Sequence, residues 1–185
     1  MKRIVAVLCF LLLLTGCSKQ NADMERAMAL RSKLLSQSIQ FETDITADYG
    51  DKTYTFSAQC GVDSNGNLTF TVVKPETISG ITGTVSASGG KLTFDGKALS
   101  FPLLADDQIT PVSAPWVFVK TLRSGYLTSC GKEKELLRLA IDDSYADDAL
   151  HLDIWLNEKN LPVRGEILWQ GRRILSLEVK NFTFV

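Results

Sequence analysis

The chain has 185 residues, 20 of them lysine or arginine, 21 aspartate or glutamate, and one histidine. An apolar share of 45% excludes a disordered chain, and a net charge of −1 excludes a basic nucleic-acid-binding protein. A single histidine leaves little room for histidine-based catalysis or a histidine-rich metal centre, and the length suits one domain.

Lys2 and Arg3 open the chain with positive charge, and Ile4 to Leu14 follow as an unbroken apolar run. That run is too short for a bilayer span, which needs about 20 residues, and it fits the h-region of a secretory signal. Leu14-Thr15-Gly16-Cys17 comes next. This sequence resembles the lipobox of bacterial lipoproteins. The resemblance implies cleavage after Gly16, so that 1–16 are a signal peptide, and acylation of the Cys17 sulfur, so that Cys17 carries the membrane contact. Residues 17–23 are then a lipidated cysteine and a polar tether, Ser18 to Asp23. Ser18 is not the aspartate that marks inner-membrane retention in Gram-negative sorting. The location implied is the extracytoplasmic face of the cell membrane, or the outer membrane if the source is Gram-negative. Disulfides persist in such a compartment. Cys9 leaves with the signal and Cys17 takes the lipid, so Cys60 and Cys130 are expected to form a disulfide, the alternative being two buried thiols.

The body, 24–185, reads as a single domain. Residues 24–37 form an amphipathic helix, with Asp23 as its cap. Period-two alternation then begins. Ile39, Phe41, Ile45, Ala47 and Tyr49 give one strand, residues 54–62 another, and Leu68, Phe70 and Val72 a third. Gly50-Asp51 and Ser64-Asn65-Gly66-Asn67 are the hairpin turns between them. Strand signals continue over 81–87, 91–94 and 99–103, with turns expected at Gly89-Gly90 and Asp95-Gly96. The period breaks at 114–124, which reads as a helix capped by Ser113, with Pro115 in its first turn and Gly125 as its stop. Alternation resumes at 126–130, 137–141, 150–156, 163–169 and 174–179. The class is mainly β, within α+β: an antiparallel meander of about ten to eleven strands, curled into a half-barrel, with an N-terminal helix and a central helical lid.

This order of elements resembles the LolA-like lipoprotein-carrier superfamily, LolA and the anchored LolB among its members. Asn160-Leu161-Pro162-Val163, the strand after it, the Gly171 turn and the closing Asn181-Phe182-Thr183-Phe184 resemble the ending of that superfamily. The resemblance implies a hydrophobic half-barrel cavity that accepts a lipid or acyl chain. The candidate lining is Phe41, Tyr54, Phe56, Leu68, Phe70, Phe94 and Phe101, with Trp116 and Val119 on the lid, and Ala58→Phe is expected to block uptake. For any one of these residues, packing in a filled core is the competing reading.

Catalysis finds no constellation. His151 lies between Leu150 and Leu152 and so points to the wetter face, and no nucleophile motif accompanies it. Asp142, Asp143, Asp147 and Asp148 read as a solvated hairpin loop, Lys132 to Glu135 as a solvated turn, and Gly171-Arg172-Arg173 as another turn. The expectation is a membrane-anchored lipoprotein that handles lipid in the cell envelope, with no enzyme activity, cofactor, metal or nucleic acid. The alternative is an anchored interaction or sensor module that binds a partner envelope protein.

Overall fold

A computed structural model describes residues 17–105 and 108–185. The expected signal peptide lies outside the described residues. Helix α1 (Cys17–Ser36) leads into β1 (Ile39–Asp48), β2 (Thr53–Val62), β3 (Leu68–Lys74), β4 (Thr82–Ser86), β5 (Gly89–Phe94) and β6 (Lys97–Phe101). A small ribbon of β7 (Leu104–Ala105) and β8 (Gln108–Ile109) precedes a 3-10 turn and α2 (Ala114–Ser124). Then come β9 (Tyr126–Glu133), β10 (Leu136–Asp142), β11 (His151–Leu156), β12 (Pro162–Trp169) and β13 (Arg172–Phe184).

Eleven strands form one antiparallel sheet in the order β6-β5-β4-β3-β2-β1-β13-β12-β11-β10-β9. Two meanders therefore meet where β1 pairs with β13. β6 and β9 do not pair, so the barrel is open. Along β1, Ile39, Phe41, Ile45 and Ala47 face inward and are buried, while Gln40, Glu42 and Asp48 face water. The alternation in the sequence is thus the inside and outside of a one-sided sheet.

α2 fills the concave side. Ala114 to Val119, Thr121 and Leu122 are all buried, and Phe118 is fully so. Gly165 on β12 makes room for the Phe118 ring, since a Cβ there would stand 2.5 Å from it. The helix is also tied to the β2–β3 turn: Trp116 Nε1 donates to the Gly66 carbonyl at 3.0 Å, and Arg123 donates to the carbonyls of Asp63 and Ser64 at 3.2 and 2.7 Å. Asp63 in turn accepts from the backbone and side chain of Asn67.

Four expectations need correction. The stretch from Cys17 to Asp23 is helical rather than a slack tether. It holds no glycine or proline, so nothing stops the helix from starting early, and Asp23 pairs with Arg26 at 3.5 Å instead of capping. Ser113 does stand at the N-cap of α2 as expected, without a side-chain cap bond. The turn between β4 and β5 falls at Ala87-Ser88, and Gly89-Gly90 already belongs to β5. Gly90 is required for space, because a Cβ there would meet the Phe101 ring at 2.0 Å. Finally, Cys60 and Cys130 are free thiols, not a disulfide. They lie on β2 and β9, with five strands between them in the sheet order. Burial pushes the Cys60 thiol up to about 12.

Candidate functional site

The residues expected to line a lipid cavity divide into two groups. Phe41, Phe56, Leu68, Phe70, Trp116 and Val119 are buried members of one continuous core, and Phe101 packs partly against it. Tyr54 and Phe94 are 48% and 51% exposed. That core also holds the buried side chains of α2. Phe41 stacks on Phe182 with ring centroids 5.7 Å apart, and Ala58 is buried among them.

A cavity of about 610 Å³ opens elsewhere, beside the Tyr49 end of β1. It is lined by Tyr49, Ile109, Leu150, Trp169 and Ile174, with Asp143, Ser144, Asp148, Gln170 and Arg172 also on its walls. Its size lies within the roughly 300–1,000 Å³ typical of small-molecule sites. Local structure explains the arrangement. Tyr49 follows β1, where Gly50 (φ +95°) turns the chain with its amide bonded to Asp48 Oδ1. Trp169 and Arg172 flank the β12–β13 turn, where Gln170 and Gly171 both adopt positive φ. Leu150 leads into β11, and its amide donates to Asp143 Oδ1 at 2.9 Å.

Several of the polar groups at this cavity are bonded to fixed partners. The Tyr49 hydroxyl donates to the Ile109 carbonyl. Burial, with Tyr54 as a smaller contributor, pushes its pKa up to about 12, so it remains a neutral donor. Arg172 is 3.3 Å from Asp48 Oδ1, and Lys120 is 4.0 Å from Asp143. The result is an apolar floor with charged groups around it, suited to a molecule with an apolar body and a polar end. Ser144 Oγ is 3.4 Å from the Ala146 amide, and the chain's one histidine does not line the site.

A wider depression of about 950 Å³ crosses the outer face of β1 to β5. It is a row of hydroxyls and amides, including Gln40, Gln59, Thr69, Thr71, Thr82 and Thr93. Thr69 and Thr183 hydroxyls turn back onto strand carbonyls. This is the wet face of the sheet and not a second apolar site.

The remaining polar clusters hold the outer surface together. His151 Nδ1 is 2.7 Å from Asp142 Oδ1 and Nε2 is 3.5 Å from Asp153. Arg138 bonds both oxygens of Asp153, which raises the pKa of its guanidinium. The guanidinium of Arg164 lies 4.7 Å from the Trp155 ring centroid. Arg173 pairs with Glu166 at 2.8 Å. Among the described residues no cluster of histidine, cysteine, aspartate or glutamate is arranged to hold a metal ion, and no helix is long and apolar enough to cross a membrane.

No family model matches the chain, and no curated protein matches it. Solved structures align with the chain at low identity. An uncharacterized conserved protein from Thermus thermophilus aligns over 91% of this chain and 88% of its own, at 12% identity and a TM-score of 0.49. A LolA superfamily protein from Nitrosomonas europaea aligns over 86% and 93%, at 11% identity and 0.44. Lipoprotein LppX from Mycobacterium tuberculosis aligns over 89% and 94%, at 14% identity and 0.42. The chain's own strand pairing and helices define an open antiparallel half-barrel.

Proposed function

We propose that the chain is an extracytoplasmic lipoprotein, anchored through acylated Cys17, that binds the apolar part of a lipid or acyl chain in the Tyr49–Trp169 cavity and performs no chemistry on it. The observation that carries this reading is the cavity of about 610 Å³ with Tyr49, Ile109, Leu150, Trp169 and Ile174 on its walls. Apolar surface moved there from water gains about 25 cal/mol per Å². Leu14-Thr15-Gly16-Cys17 after a short apolar run supports the anchor, which places the protein on the outer face of the cell membrane, or in the outer membrane of a two-membrane cell.

The test is native mass spectrometry of the folded Cys17→Ser chain, followed by uptake of a fluorescent fatty acid. Bound species of lipid mass and saturable uptake are expected, both lost in Leu150→Trp. A bare protein that takes up no probe overturns the reading.

A second reading has its own observation. β6 is an unpaired sheet edge, and Phe94 and Leu99 on the β5–β6 hairpin are 51% and 64% exposed. Such an edge accepts a strand from a partner envelope protein. Crosslinking from Leu99 on intact cells, with no lipid in the cavity, would favour it.

A further inference from the structure

Helix α1 carries apolar residues on two sides, and the domain uses only one of them. Ala27, Leu30 and Leu34 are buried against the domain. Met24, Met28 and Leu35 are 39%, 51% and 56% exposed. At 3.6 residues per turn these three fall within about 40° of one another, roughly 100° around the helix from the buried row. Single exposed apolar residues need no explanation, but an aligned row marks a contact.

The course of the helix identifies that contact. α1 begins at Cys17, so only helix separates residue 17 from Met24. At 1.5 Å per residue, Met24 and Met28 stand about 10 and 16 Å along the axis from it. A slack tether would let the domain swing away from its anchor, whereas a continuous helix keeps the row beside whatever holds residue 17. Arg26 is turned to the domain, bonded to Asp23 and Asn160, and Lys33 lies over the Phe184 ring, so these charges leave the row apolar. Methionine side chains adapt to irregular apolar surroundings.

We infer that Met24, Met28 and Leu35 lie in the bilayer interface, making α1 a second membrane contact beside the acyl chains of Cys17. This inference rests on the proposed lipid anchor. It implies that the domain is held at a fixed orientation against the membrane rather than hanging from it.

The test uses the protein as processed by an expressing bacterium, reconstituted in vesicles of phosphatidylethanolamine and phosphatidylglycerol doped with nitroxide-labelled lipid. In a Cys130→Ser background, Met28→Cys or exposed Ala29→Cys carries an environment-sensitive fluorophore. Cys60 is buried and stays protonated, so it is not labelled. The expected result is flotation with the vesicles, with a blue shift and quenching at position 28 and neither at 29. Flotation with both positions unquenched overturns the inference and leaves the anchor standing. Failure to float overturns the anchor and the inference together.

Discussion

The space under α2 is packed, whereas the cavity at Tyr49, walled mostly by residues at strand ends and turns, is open. Under α2, Phe118 is driven into the concavity and β12 yields a glycine at position 165 to admit it. Beside Tyr49, the wall is completed by Ile109, two residues before the 3-10 turn that precedes α2. What differs is whether a helix delivers a large side chain into the gap. Inward-facing aromatic residues therefore identify a core in this fold, and a ligand site must be sought where the helix does not reach.

That comparison can be broken most sharply at Phe118. Phe118→Ala should cost about 3–5 kcal/mol, read as a lower urea midpoint. A loss under about 1 kcal/mol would mean that the space under α2 is not packing-dependent. Next come substitutions that overfill the same space. Gly165→Ala and Ala58→Phe should each cost about 1–3 kcal/mol through displaced neighbours. Ala58→Phe is thus a stability variant and not a block to uptake. Leu150→Trp probes the other region. It should abolish fatty-acid uptake while changing stability by no more than about 1 kcal/mol, and uptake that survives in a folded variant would move the site elsewhere. Arg123→Ala removes two exposed hydrogen bonds to the β2–β3 turn and should cost about 1 kcal/mol, with uptake unchanged.

The smallest effect at neutral pH is alkaline. An unfolded thiol ionises near 9.0, whereas Cys60 in the fold holds its proton to about 12. Between those values the unfolded chain binds fewer protons than the folded one, so stability falls as pH rises. Equilibrium unfolding of Cys60→Ala should show a shallower alkaline decline, with Tyr49 still contributing from about 10 to about 12.

Most of the fold was legible because both of its periodicities are plain. Residues 39–49 and 54–62 alternate cleanly, and β1 and β2 match them within a residue or so. The break at 114–124 marks α2 itself. The tether was misread because a polar composition was taken for absence of structure, although Ser18 to Asp23 contain nothing that opposes a helix. The cavity was missed for a different reason. Tyr49, Leu150, Trp169 and Arg172 stand at strand ends and turns, where periodicity has already stopped. Their shared location follows from β1, β12 and β13 being neighbours in the sheet, and that pairing joins segments more than 100 residues apart. The expected disulfide failed on the same account, since spacing in the chain does not reveal the five strands that separate β2 from β9.

The β1–β13 pairing also has a consequence in time. β1 is the first strand of the sheet to be synthesised, and β13 follows every other strand. Each meander can form its own hairpins as it appears. The seam that unites them waits for β13, and until then one flank of β1 stands bare, with Ile45 and Ala47 lacking their opposite numbers Leu177 and Leu175. Pairing of strands this far apart in the chain is intrinsically slow, so closing the seam is the step expected to limit the folding rate.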